Sequence, residues 1–405
     1  MMYKAYQAFT NLHDPVRIFA KASERVSNNW FGNFTLNPMQ RLAAHYEQIA
    51  LLGFTHTRPD FKIYSVINSF GIEQAVDEEL VYSTHFCNLV RFTKAGIEGQ
   101  PKILLVAPMS GHFATLLAGT IKTLLRDHEV YVTDWLNIRD VPLSFGNFDF
   151  DSYVEHIITF LKFIGPQTHL MAVCQPTVAC LAATAILSED KSAYVPASLT
   201  LMAGPIDVGQ SPTKVNELAT SKPLSWFEDK LIGTIPRQFN GAGRRVYPGF
   251  LQLMAFMSMN PDRHAESFRK LYEYRVSGEA EKADAIHEFY EEYFAIMDLS
   301  ADFYLQTLKK VFMDRDLPNG KLIFQGRIVN PKCIKKTFLL TVEGERDDIC
   351  GIGQTLAAQD LCSGLPGYMK SHHLQAGVGH YGVFNGKRWD GQIYPVVRNH
   401  IQSAQ

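Results

Sequence analysis

From about residue 100 onward, apolar residues gather in short unbroken runs, and each run is followed by a stretch whose apolar positions recur at helical spacing. Residues 102–107 (KILLVA) read as a strand buried on both faces, and 113–125 as the helix after it. Residues 129–136 (EVYVTDWL) form the next strand, and its helix begins near Asp151 with Tyr153, Ile157, Phe160, Leu161 and Ile164 on one face. Residues 169–173 (HLMAV) are again strand-like. Only Cys174 and Gln175 separate them from a helix that starts near Pro176 and carries Val178, Leu181, Ala182, Ala185 and Ile186. Residues 198–203 add a further strand before Gly204 and Pro205. Such alternation predicts an α/β fold, a mostly parallel sheet covered by helices.

After Asp207 the alternation stops. Residues 208–336 read as helices and loops, with helices over 250–257, 265–276, 279–297 and 300–313. Residues 337–342 (TFLLTV) restore a buried strand, and the chain closes with a Gly-rich loop around His380 and a helix bearing Trp389, Ile393, Val397 and His400. The economical division is therefore 1–207 as an N-terminal segment and the first part of the core, 208–336 as a helical cap or lid, and 337–405 as the rest of the core. No internal repeat or low-complexity tract is visible.

Composition narrows the function classes. The 405 residues include 39 basic and 41 acidic side chains, a formal charge of -2, with 46% hydrophobic and 12% aromatic residues. That suits a folded chain with a large core and argues against disorder and against nucleic acid as a partner. The longest apolar runs fall far short of the roughly 18 residues a membrane span needs. The first 25 residues carry Asp14, Arg17, Lys21, Glu24 and Arg25 where an export signal would be apolar. A cytoplasmic location is the expectation, with no transmembrane segment. The six cysteines contain no CxxC pair and are expected to be reduced core residues for the most part. His372 and His373 lack a third ligand at metal-like spacing, so neither a metal nor a cofactor is expected.

The chemistry concentrates at the 173–176 junction. A strand that turns into a helix within two residues lifts the turn residue above the sheet edge and points a helix N-terminus at it. Such an elbow needs small neighbours two positions either side, and here those are Ala172 and Pro176, giving AxCxP where GxSxG is usual. Alone this leaves a core cysteine as the ordinary reading. Two later features change the balance. The strand at 337–342 runs into GxxD (Gly344 to Asp347), and His380 follows in a loop flanked by Gly377, Gly379 and Gly382, which is the chain order nucleophile, acid, histidine. Cys174, Asp347 and His380 are thus the candidate triad, with Asp348 and Asp207 as rival acids. The oxyanion needs two backbone donors, the N–H of Gln175 and one from Met109 or Ser110. The Ser110 and His112 side chains fit a plain turn equally well. Cys180 is read as packing. Tyr247, Phe250 and Trp226 are candidate substrate contacts, although the Met- and aromatic-rich stretch 247–259 also suits a core.

Several segments together carry a family resemblance: NPMQRLAAHYEQIALL, VAPMSGHFATLL, VCQPT, YPGFLQLMAFMSMNPDRH and GVGHYGVFNGKRW. They resemble the intracellular polyhydroxyalkanoate (poly(3-hydroxybutyrate)) depolymerases over nearly the whole chain. The resemblance implies an α/β-hydrolase fold, Cys174 as nucleophile with Asp347 and His380, a lid over 208–336, and polyester hydrolysis at a storage-granule surface, with homo-oligomers possible. Three alternatives stand beside it. A polyester synthase would carry GxCxGG, which is absent here. Thiolysis to a 3-hydroxyacyl-coenzyme A and an inactive granule-binding protein are the others.

Overall fold

Strands that are apolar at every position are stable only when both faces are covered, and that requirement organises this chain. The computed structural model describes residues 3, 6–8, 10, 15–23, 37–259 and 261–405. Nine strands form one sheet: β1 (Ser65–Ile67), β2 (Glu73–Ser83), β3 (Cys87–Lys94), β4 (Lys102–Val106), β5 (Glu129–Trp135), β6 (His169–Val173), β7 (Ser198–Met202), β8 (Phe338–Gly344) and β9 (Lys370–Gln375). Their spatial order is β1-β2-β3-β5-β4-β6-β7-β8-β9. β4 to β9 pair in parallel, whereas β3 runs antiparallel to β5, and β1 to β3 are antiparallel to one another. This is the α/β-hydrolase arrangement. From β4 the chain moves outward to β5 and then crosses back to β6, so the loops after β4 and β6 face one crevice at the strands' C-terminal ends.

The helices that matter below are α1 (Asn37–Leu51), α2 (Phe150–Ile164), α3 (Thr177–Glu189), α4 (Gly249–Met259), α5 (Pro261–Ser277), α6 (Ala280–Tyr293) and α7 (Tyr394–Ser403). The cap of α2 is Asp149, whose carboxylate accepts from the Ser152 N–H at 2.8 Å, two residues before the acidic start the sequence indicates. α3 is buried from Thr177 to Leu187. Its alanines let it lie close against the sheet.

The sheet edges differ from the sequence expectation. β1, β2 and β3 precede residue 100, and β9 (KSHHLQ) carries His372 and His373 on the opposite edge. β2 lies next to the edge and stays mostly exposed, and β9 is the opposite edge, so neither the acidic run of β2 nor the polar β9 shows the apolar signature of a central strand.

Between β7 and β8 the helices fall close to the predicted spans, with short helices added at Lys214–Thr220 and Leu224–Leu231 and further differences. A small three-stranded sheet joins Gly233–Thr234, Arg245–Tyr247 and Leu299–Ser300. The helix expected over 279–297 ends at Tyr293, because residues 294–297 extend into the core, where the Ile296 N–H bonds Thr55 O at 2.8 Å and the Met297 N–H bonds Gly111 O at 2.9 Å. α1 is tied to α5 and α6 through buried Glu47. Its carboxylate accepts from Arg275 at 2.8 Å and lies 2.6 Å from His287 Nδ1. Burial would raise the Glu47 pKa, but hydrogen bonds from His287 and Arg275 outweigh it and hold the value low. Among the described residues, no helix is long and apolar enough to cross a membrane.

Candidate active site

Cys174 sits at the turn from β6 into α3 with φ at +68°, a region that costs a non-glycine residue about 1–3 kcal/mol. The surroundings hold it there. Its N–H bonds Met202 O at 2.7 Å, and its C=O accepts from the Thr177 N–H at 3.2 Å and Oγ1 at 2.9 Å. Crowding on the far side explains Gly204 after β7, because a Cβ there would come within 2.0 Å of Thr177 Oγ1. Cys174 is partly exposed, whereas Cys180, on α3, is wholly buried, and burial drives its thiol pKa well up.

Asp347 follows β8. Its Oδ1 accepts from the backbone N–H groups of Ile349 and Cys350, both at 2.9 Å, which fixes the carboxylate. His380 Nδ1 lies 2.8 Å from Asp347 Oδ2 and 3.0 Å from Oδ1, both side chains being almost fully buried. Gly344 permits this meeting, since a Cβ there would lie 2.9 Å from Val378 O on the loop that delivers His380. The Cys174 sulfur lies close enough to the same imidazole to act on its charge. Burial alone would depress the His380 pKa, but Asp347 and the Cys174 sulfur outweigh it and raise the value well above 6.5. The arrangement can pass a proton from sulfur to imidazole and stabilise the resulting charge.

The rival acids lie otherwise. Asp207 is held by Arg315, with Nε at 2.8 Å and Nη2 at 2.6 Å. Asp348 lines the neighbouring cavity.

The loop after β4 comes against the elbow. The Met109 N–H donates to Gln175 Oε1 at 3.3 Å, so the side chain after Cys174 occupies a donor expected to serve an oxyanion. Ser110 is partly exposed beside it. His112 is buried and stacked near Phe256 and Tyr293. Burial lowers its pKa to about 4, so the ring is neutral and ties the loop to α6.

A cavity of about 300 Å³ opens beside His380 between α5 and α6. Its wall includes Phe256, Phe289, Tyr293 and Tyr381, with Arg263 and Asp348. None of the three proposed substrate contacts lines it. Tyr247 stacks on Tyr304 at 3.8 Å, Phe250 stacks on Tyr6 at 3.9 Å, and both are buried. Trp226 is on a surface helix against Phe227. Sequence reasoning missed Tyr293, Tyr381, Arg263 and the Gln175 side chain. Only Tyr381, adjacent to His380, carried a signal in the chain itself.

The family described as PHB de-polymerase C-terminus matches residues 203–405, half of the chain, including Asp347, His380 and the cavity helices but not Cys174. No curated protein matches the chain significantly. Among solved structures it is similar to an epoxide hydrolase from Bacillus megaterium in complex with an inhibitor, at 14% identity over 79% of this chain and 99% of that one, with TM-score 0.47. It is also similar to a soluble variant of monoglyceride lipase from Saccharomyces cerevisiae, at 10% identity over 86% and 99%, TM-score 0.47. A membrane phospholipase A, described as a bacterial virulence factor, aligns at 15% identity over 81% and 86%, TM-score 0.44.

Proposed function

The chain belongs to the PHB depolymerase family and is a carboxylic ester hydrolase, and from that premise we propose that it cleaves stored poly(3-hydroxyalkanoate) through an acyl-enzyme on Cys174. The observation that carries this reading is the buried Asp347–His380 pair, both carboxylate oxygens on Nδ1, with the Cys174 sulfur close enough to the same imidazole to help raise its pKa. His380 takes the thiol proton as sulfur attacks the ester carbonyl, and the tetrahedral oxygen is met by the N–H groups of Gln175 and Met109 once the Gln175 side chain has moved aside. His380 then protonates the departing alcohol. Water, activated by the same imidazole, releases the 3-hydroxy acid or oligomer and restores the thiol. Residues 208–336 act as the cap, with α5 and α6 walling the cavity at which the polymer chain enters. The working location is a polyester granule surface in the cytoplasm.

The test is incubation with native amorphous granules, with measurement of released 3-hydroxy acid and, when millimolar coenzyme A is added, of acyl-coenzyme A. Free acid should dominate. Cys174→Ala should abolish release while the protein still melts cooperatively, and iodoacetamide should inactivate the wild type with the label on Cys174. Turnover persisting in Cys174→Ala would remove the nucleophile assignment, and acyl-coenzyme A as the main product would make the enzyme a thiolase of polyester.

A further inference from the structure

The cavity beside His380 holds polar groups that do not balance within the protein. On its wall, Ser267 Oγ is spent on Arg263 O at 2.9 Å, and His264 Nδ1 lies 2.9 Å from the Tyr290 hydroxyl. Asp348 is already engaged. What remains is the Arg263 guanidinium and the hydroxyls of Tyr293 and Tyr381, none with a protein hydrogen-bond partner or ion pair among the described residues. The two tyrosine rings lie 6.3 Å apart at 69°, and Tyr381 directly follows His380. The walls between these donors include Phe256, Ile286 and Phe289.

We propose that Arg263, Tyr293 and Tyr381 form a subsite that holds ester carbonyl oxygens of the polyester residues next to the bond being cut, an assignment that rests on the depolymerase reading above. Between its ends a polyester presents carbonyl acceptors and no N–H or O–H donor, whereas peptides, amides and polyols bring donors of their own. A cavity whose open polar groups are a guanidinium, which only donates, and two phenols, which can donate, set among apolar walls, suits the carbonyl acceptors of the first class. Burial raises the pKa of both phenols, so they remain protonated donors throughout the working range. The guanidinium, exposed at the rim, can bond two oxygens of an entering chain. Aliphatic side groups of a hydroxyalkanoate pack on the phenylalanine and isoleucine walls.

The experiment compares two substrates on the full chain: a 3-hydroxybutyrate trimer capped at both ends, which has several ester carbonyls and no donor, and ethyl butyrate, which has one ester. Tyr381→Phe, Tyr293→Phe and Arg263→Gln are each expected to lower the ratio of kcat/KM for trimer over monoester by roughly three- to tenfold, mainly through KM, with larger loss in the double tyrosine variant. An oligoether of trimer length, which lacks the carbonyls, should not inhibit. An unchanged ratio in the double tyrosine variant, with melting as in the wild type, overturns the subsite. Should either tyrosine variant fail to fold, the exposed Arg263→Gln decides by the same ratio. A wild type that cleaves ethyl butyrate but not the trimer overturns the depolymerase reading instead, so the two failures are distinct.

Discussion

Two substitutions of Gln175 should move activity in opposite directions. In the resting structure its side-chain oxygen takes the Met109 N–H at 3.3 Å, at the long end of hydrogen-bond distances, so substrate must displace a bond worth about 0.5–1 kcal/mol net. Gln175→Ala removes that competitor and leaves both backbone donors in place, which should raise kcat/KM on a soluble short ester roughly two- to fivefold. Gln175→Glu instead parks a carboxylate where the oxyanion forms. Two charges about 4 Å apart at an effective dielectric near 20 repel by about 4 kcal/mol, so kcat/KM should fall on the order of 10³-fold at neutral pH and recover as the carboxylate is protonated. The assay is steady-state hydrolysis from pH 5 to 9, with melting temperature as the control for folding. A tenfold loss in Gln175→Ala at unchanged melting temperature would make the amide a participant, and a wild-type rate in Gln175→Glu would take the oxyanion hole away from Met109.

Asp347→Asn should lower turnover by about 10⁴ and move the acidic limb of kcat/KM to lower pH, because His380 must be unprotonated to take the thiol proton and the carboxylate is the main group raising its pKa, whereas Asp348→Asn should do far less; the reverse order would move the acid by one residue. Acidification should unfold the protein: His112, His128, His169 and His400 are held neutral by burial with pKa about 4, the unfolded chain binds their protons below about 6.5, and each therefore costs about 2 kcal/mol between pH 7.5 and 5. His380 runs the other way, its contribution complete below its unfolded value and lost as pH rises through the raised folded one, so it offsets only part of the loss. A melting temperature flat from pH 7.5 to 5 would contradict this. Phe250→Ala should cost roughly 3–5 kcal/mol of stability and reduce cleavage of granules and soluble esters alike, since the ring packs on Tyr6 away from the cavity; a selective loss on granules would restore it as a substrate contact.

What could be read along the chain was whatever rests on local pattern. Central strands buried on both faces are largely apolar, so β4 to β8 announce themselves even with Glu129, Asp134 and Glu343 buried among them, and the short connection from Val173 to Thr177 marks Cys174 at the turn. Gly344, and Gly382 just after His380, stood out for a similar reason: close approach to Val378 excludes a Cβ at each, and that exclusion is written into the sequence. The outer strands escaped, since a strand that buries little of its surface can be acidic or polar and remain paired. So did the end of α6, where residues 294–297 continue an apolar run that extends only because Thr55 and Gly111 are there to receive its hydrogen bonds.

Aromatic side chains show the limit most clearly. Tyr247, Phe250, Tyr293 and Tyr381 are equally apolar as letters, and a ring with a hydroxyl serves packing or recognition according to what surrounds it. The sequence by itself determined the central parallel strands, the elbow and the order of Cys174, Asp347 and His380, because backbone geometry constrains residue type at those positions. Only the tertiary structure decided that the first two rings are packed away while the other two face the cavity beside His380, and that Gln175 folds back onto Met109, because those outcomes depend on which helices, far apart in the chain, come to lie over the crevice.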